Sequence, residues 1–163
     1  MSRFIVGVMG GGETAAAEHC KMAYHLGKLI AQKNWVLLNG GRPAGVMEAS
    51  ARGAKDNGGL TIGILPDRDS RFSSEYIDIA IATGMGDGRN YINILSSHVI
   101  VALPGRAGTI SEIALALKNN KNVILLGFDT GSLFNIYQQS GLLHPVSTPE
   151  EAICVIDNIR KKQ

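Results

Sequence analysis

Three arginines and one glutamate of this chain stand in or beside glycine-rich turns. Arg42 lies in Asn39-Gly40-Gly41-Arg42-Pro43-Ala44-Gly45, and Arg89 follows Gly84-Met85-Gly86-Asp87-Gly88. Arg106 and Glu112 belong to Leu103-Pro104-Gly105-Arg106-Ala107-Gly108-Thr109-Ile110-Ser111-Glu112. Arginine presents a planar fork of donors that suits bidentate contact with phosphate or carboxylate. Several arginines at one site point to an anion carrying more charge than a carboxylate alone. Glu112 has two readings. It can close a capping box with Thr109, which would start the helix there, or it can be a carboxylate of the site. Arg89 also has two, an anion contact or a surface arginine paired with Asp87.

The elements around these residues alternate. Apolar segments at 3–9, 35–38, 60–65, 77–81, 99–103 and 123–126 read as strands of one mostly parallel sheet. Helical spacing over about 15–33, 44–57, 89–96 and 109–118 separates them, and Thr148-Pro149-Glu150-Glu151 caps a last helix with proline at its first position. The alternation predicts one α/β domain spanning 1–163, a Rossmann-like, doubly wound sheet with helices on both faces. Gly10-Gly11-Gly12-Glu13-Thr14 follows the first strand, Gly40 to Gly45 the second, and Gly105 to Gly108 the 99–103 strand. In such a sheet these turns share the carboxyl edge, where ligands bind. A strand that ends in a glycine turn and opens into a helix offers backbone amides and the positive end of the helix dipole to an anion. Pro66 to Ser74 is polar, charged and turn-rich, which predicts a mobile loop.

Composition narrows the function classes. The 163 residues are 45% hydrophobic and 18% charged, as in a globular domain, and 16 basic against 14 acidic residues leave +2 with no basic run. That balance speaks against a nucleic-acid face. No segment is long and apolar enough for a membrane span, and the N-terminus lacks a secretory pattern, so a cytoplasmic protein is expected. Cys20 and Cys154 are expected to be buried free thiols on helices. The four scattered histidines have no ligand spacing, which speaks against a zinc site, so no metal is expected, and His25 reads as a surface or subunit contact. Gly10 to Ala15 satisfies G-x-G-x-x-A, but Asn39 and two glycines replace the acidic residue that holds a dinucleotide ribose. No G-x-x-x-x-G-K-[ST] loop is present.

The segment from Pro104 to Glu112 resembles the P-G-G-x-G-T-x-x-E motif of the Lonely Guy phosphoribohydrolases, once called lysine-decarboxylase-like, with Arg106 in place of the second glycine. Their catalytic arginine falls in M-x-x-R-K; here Arg89 matches it and Asn90 stands where the lysine would be. Nearly the whole chain is similar to the molybdenum cofactor carrier proteins of algae and bacteria. The shared features are Gly7-Val8-Met9-Gly10, Gly40-Gly41-Arg42 with Gly45-Val46-Met47, Gly58 to Pro66, Arg89-Asn90 with Ile92-Asn93 and Leu95-Ser96-Ser97, and Gly108-Thr109 with Glu112 and Ala114 to Lys118.

The carrier resemblance implies a protein that holds the phosphate-bearing pterin cofactor of molybdenum and passes it on without chemistry, as a homodimer or homotetramer. Molybdate or phosphate alone would be smaller ligands of the same site, and molybdoenzyme apoproteins the recipients. The candidate binding residues are then Gly10, Gly11, Gly12, Glu13 and Thr14; Gly40, Gly41, Arg42 and Gly45; Arg89 and Asn90; and Gly105, Arg106, Ala107, Gly108 and Thr109. The hydrolase resemblance implies instead that a nucleoside 5′-monophosphate is cleaved to free base and ribose 5-phosphate. Glu112 and Arg89 would then be catalytic, the carboxylate activating water or stabilising an oxocarbenium-like sugar.

Overall fold

The computed structural model describes residues 3–162. Seven parallel strands form one sheet in the order β4-β3-β2-β1-β5-β6-β7. They are β1 (Ile5–Met9), β2 (Val36–Asn39), β3 (Leu60–Leu65), β4 (Ile79–Ala82), β5 (Val99–Ala102), β6 (Val123–Leu126) and β7 (Leu143–Val146). The helices are α1 (Ala17–Gln32), α2 (Gly45–Lys55), α3 (Arg89–Ser96), α4 (Ala107–Lys118), α5 (Asn135–Gln139) and α6 (Pro149–Arg160). Parallel strands need crossovers, so the central ones are covered on both faces and apolar throughout, as Val36-Leu37-Leu38 and Val99-Ile100-Val101-Ala102 show.

Alternate residues feed two cores. Val6, Val8, Leu37, Val99 and Val101 meet Leu26 and Ile30 of α1, Val46 and Ala51 of α2 and Ile156 of α6. Met9, Leu38, Ile64, Ile100 and Ala102 meet Ile94 of α3 and Ile113 and Leu117 of α4. The chain builds outward from β1 to β4, then returns to start β5 on the other side of β1. The switch point therefore lies between β1 and β5, the position at which an open α/β sheet leaves a crevice at its carboxyl edge.

Three features differ from the sequence reading. The expected strand at 77–81 pairs with β3 only from Ile79 to Ala82. β7 and α5 went unread, because α5 has five residues and β7 carries Pro145, a residue that argues against a strand except at a sheet edge. β7 is that edge. Cys154 is exposed and Cys20 half-buried, rather than buried. Their helices turn other residues inward, Ala152, Ile153 and Ile156 from α6 and Ala23 and Leu26 from α1.

α1 and α2 cross at glycines. A Cβ on Gly27 would land on the Ser50 carbonyl oxygen, and one on Gly53 on the Tyr24 carbonyl oxygen. Backbone meets backbone there. Replacing Gly53 by Ala gains about 1 kcal/mol of helix propensity, yet overpacking a rigid contact costs about 1–3 kcal/mol. The expected outcome is a lower melting temperature for Gly53→Ala, read by thermal unfolding. A rise would show that the helices separate freely.

Candidate functional site

A cleft of about 460 Å³ opens at the β1/β5 switch point. Gly10, Gly11 and Gly12 line it from the turn after β1, Gly40 from the turn after β2, and Pro104, Gly105 and Arg106 from the turn after β5. Hydrogen bonds fasten these turns to one another. The Gly11 amide donates to the Pro104 carbonyl at 3.0 Å, and the Val46 amide donates to the Gly11 carbonyl at 2.9 Å. Gly45 makes the second contact possible, with φ of +51° and no Cβ to strike the Gly11 and Gly12 carbonyls.

The turns consume several of their own amides. Gly41 donates to Asn39 Oδ1 at 2.8 Å, and Ala44 to the Arg42 carbonyl at 2.9 Å. Two helix starts on the cleft, those of α4 and α1, add first-turn amides that an anion can use. The first bond inside α4 runs from the Ile110 amide to the Arg106 carbonyl, and Arg106 supplies no side-chain cap. The amides of Ala107, Gly108 and Thr109 thus precede the ladder. α1 begins the same way, Cys20 donating to Ala16, with no side-chain cap and with Ala16 and His19 on the cleft wall. α6, remote from the cleft, has a full capping box on Thr148 and Glu151.

Thr109 and Glu112 do not make the capping box that their spacing suggests. α4 starts two residues earlier, at Ala107, which makes Thr109 the third residue of the first turn, its side chain packed beneath Gly105. Glu112 lies in the helix body and is 7% exposed on the cleft wall. Its Oε1 accepts a hydrogen bond from Asn93 Nδ2 at 3.1 Å. Burial raises its pKa to about 7, while the Asn93 bond and the positive charge of Arg89 pull the other way.

Arg89 is half-buried, and its Nη1 donates to the Ile64 carbonyl at 2.8 Å. The guanidinium passes over Gly40, where a Cβ would collide with Nη1. Gly40 is therefore the gap through which Arg89 reaches the cleft. The surface pairing of Arg89 with Asp87 gives way to this carbonyl anchor; Asp87 acts on it only through space.

Of the sequence candidates, Gly10, Gly11, Gly12, Thr14, Gly40, Arg89, Asn90, Gly105, Arg106, Gly108, Thr109 and Glu112 come together at the cleft. Glu13, Gly41, Arg42, Gly45 and Ala107 stand outside its lining. Arg42 is drawn away by Asp67, whose Oδ1 is 3.0 Å from Nη2, and by the Phe72 ring. Gly41, with φ of +75°, packs against Gly63 and Leu65. His25 pairs with Glu150 at 2.7 Å and ties α1 to α6 on the surface. His19, Met47 and Asp87 line the cleft without having been expected there. Asn93 is fully buried behind Glu112, and its Oδ1 has no partner among the described residues. Besides its place in the Ile92-Asn93 match, helical spacing from Arg89 points to it, since 89 and 93 share a helix face.

The Glu112 carboxyl makes stability depend on pH with a definite sign. Its folded pKa lies above the unfolded value, so between about 4.5 and about 7 the folded chain keeps a proton that the unfolded chain releases. Stability falls as pH rises through that window. Glu112→Gln removes the dependence and preserves an acceptor for Asn93. Its expected gain over wild type is absent at pH 4 and grows to the order of 3 kcal/mol at pH 8. Thermal unfolding of both proteins across that range reads it, and a constant difference would refute it.

Known proteins repeat this architecture. A molybdenum cofactor binding protein from the phototrophic bacterium Rippkaea orientalis superposes with a TM-score of 0.92 at 50% identity, covering 98% of each chain. The molybdenum cofactor carrier protein of Chlamydomonas reinhardtii does so with a TM-score of 0.91 at 42% identity, covering 98% of this chain and 99% of that one. A cytokinin riboside 5′-monophosphate phosphoribohydrolase of Mycobacterium tuberculosis is 27% identical over 157 residues, 88% of this chain and 83% of its own length. The model of the SLOG cluster4 family matches residues 3–153, most of the chain, and the protein belongs to that family.

Proposed function

We propose that this protein binds the molybdenum cofactor as cargo and hands it on without making or breaking bonds. The observation that carries the reading is the pairing of two uncapped helix starts, α1 and α4, on one cleft whose wall carboxyl burial pushes up to a pKa of about 7. The first-turn amides of α4 and the side chain of Arg106 would take the terminal phosphate. Arg89, already oriented by the Ile64 carbonyl, would face a second anionic group of the cargo. Similarity to cofactor-binding and carrier proteins at 42–50% identity over nearly full length supports the same assignment. Molybdoenzyme apoproteins are the recipients this reading implies. The exposed side chains of Tyr91 and Leu95 on α3 leave an apolar surface for a second copy, as a homodimer or homotetramer requires.

The hydrolase reading retains one specific support: Glu112 and Arg89, which match that motif, both line the cleft. Against it, stabilising an oxocarbenium-like sugar calls for an ionised carboxylate, whereas burial opposes ionisation of Glu112. Two assays on one anaerobic preparation separate the readings. The carrier should retain the cofactor through ultrafiltration, and Arg89→Ala should weaken that retention by about 1.5–3 kcal/mol, the scale of a hydrogen bond to a charged group. Adenosine monophosphate should release no adenine. Base release that Glu112→Gln abolishes would replace the carrier assignment with the hydrolase.

A further inference from the structure

Glu112 and the anion seat lie on the same helix. Three residues separate Glu112 from Thr109, about 4.5 Å along the axis, within the range over which solvent ions screen poorly. The carboxyl is 7% exposed, and its one hydrogen-bond partner among the described residues is the neutral Asn93 amide. Arg89 is the cation nearest in effect, and its Nη1 is committed to the Ile64 carbonyl. The other charged or titratable groups on the cleft are His19 from α1, Asp87 from the turn before α3, and Arg106 at the start of α4. Arg42 and Asp67 stand behind Arg89 and act on it through space.

A dianion resting on the α4 amides adds negative charge beside a buried carboxyl with no cation in contact. Such a carboxyl yields by taking a proton. Asn93 is built for both protonation states. As placed, Nδ2 donates to Glu112 and Oδ1 is buried without a partner among the described residues. A half-turn of the carboxamide brings Oδ1 round to accept the proton of a neutral Glu112.

We propose that the cleft binds its anion together with one proton from solvent, received by the Glu112 carboxylate, so that the ligand is gripped under acidic conditions and loosened under alkaline ones. The inference rests on the reading that the cleft is an anion site, and it adds the means by which the grip is regulated. Coupling of this kind is reciprocal: the anion raises the proton affinity of Glu112 by the factor by which the proton raises anion affinity.

Molybdate serves as the probe, because it remains a dianion from about pH 6 to about pH 9 and its own titration stays out of the result. Isothermal titration in two buffers of different ionisation enthalpy reads affinity and proton uptake together. Wild-type protein is expected to bind about tenfold more weakly at pH 8.5 than at pH 6 and to take up a fraction of a proton per ion at pH 7.5. Glu112→Gln should show no uptake and an affinity independent of pH, whereas His19→Asn should keep the coupling. Coupling that survives Glu112→Gln and disappears in His19→Asn would transfer the role to the histidine and overturn the proposal. Binding that is flat with pH in wild type would overturn it alone, and a cleft that takes no molybdate at any pH would overturn it together with the anion site.

Discussion

One residue carries the bonds that bring the cleft together. Gly11 gives its amide to Pro104 and receives the Val46 amide on its carbonyl, so the turn after β1 is tied to the turn after β5 and to the start of α2. Together with the Leu103 amide, which donates to the Met9 carbonyl at 2.8 Å, those two bonds fix the three strand ends relative to one another above the sheet. Gly45 follows from the same constraint, because its left-handed backbone and missing side chain admit the Gly11 and Gly12 carbonyls. Gly105 follows as well, its missing Cβ leaving room for the Thr109 side chain below and the Gly11 amide beside it.

This fastening alters what the glycines are for. A glycine turn is commonly read as a cradle whose amides point at phosphate, and the turns at 10–12, 40–45 and 105–108 invite that reading. Here the Gly11 and Gly41 amides are spent on the protein itself. At those two positions the turns act as spacers that allow close approach, and the first turns of α1 and α4 add donors beside them. Asn39 shows the same economy. It stands where a dinucleotide site would place a carboxylate, yet its Oδ1 shapes the second turn and its Nδ2 bonds the Met47 carbonyl and Ser50 Oγ inside the protein.

Much of the fold was legible because periodicity and burial agree. The strands at 60–65 and 123–126 and the helix at 89–96 stand where their patterns put them, and Thr148-Pro149-Glu150-Glu151 forms the cap it spells. The site was less legible, and the reason is physical. Thr109 and Glu112 have the spacing of a capping box, but Pro104 and Gly105 have already turned the chain, and α4 is under way at Ala107. Spacing reports which pairs could meet; burial decides which do. Arg42 stands in the second glycine turn, yet its guanidinium meets Asp67, twenty-five residues on, a pairing that no local spacing reports. His19 carries no motif and Asn93 only shares a matched segment with Arg89, and both matter because helices α1 and α3 turn them towards the region of Glu112.

The contrast between a carrier and a hydrolase on one scaffold then reduces to how the cleft manages charge. Two helix starts and Arg106 favour an anion at the mouth, whereas the wall offers a carboxyl that burial keeps from ionising freely. Arg89 could have formed an ion pair with that carboxyl and fixed it as a permanent anion. Instead Gly40 gives it passage to a backbone carbonyl, which holds the guanidinium in place through a neutral acceptor, with Glu112, Asp87 and Asp67 acting on it only through space. A neutral acceptor is the only kind of anchor that orients an arginine without cancelling what it offers a ligand. Glu112 is thereby left near the balance between its charged and neutral forms, and a cleft in that condition answers an incoming anion by changing its own charge.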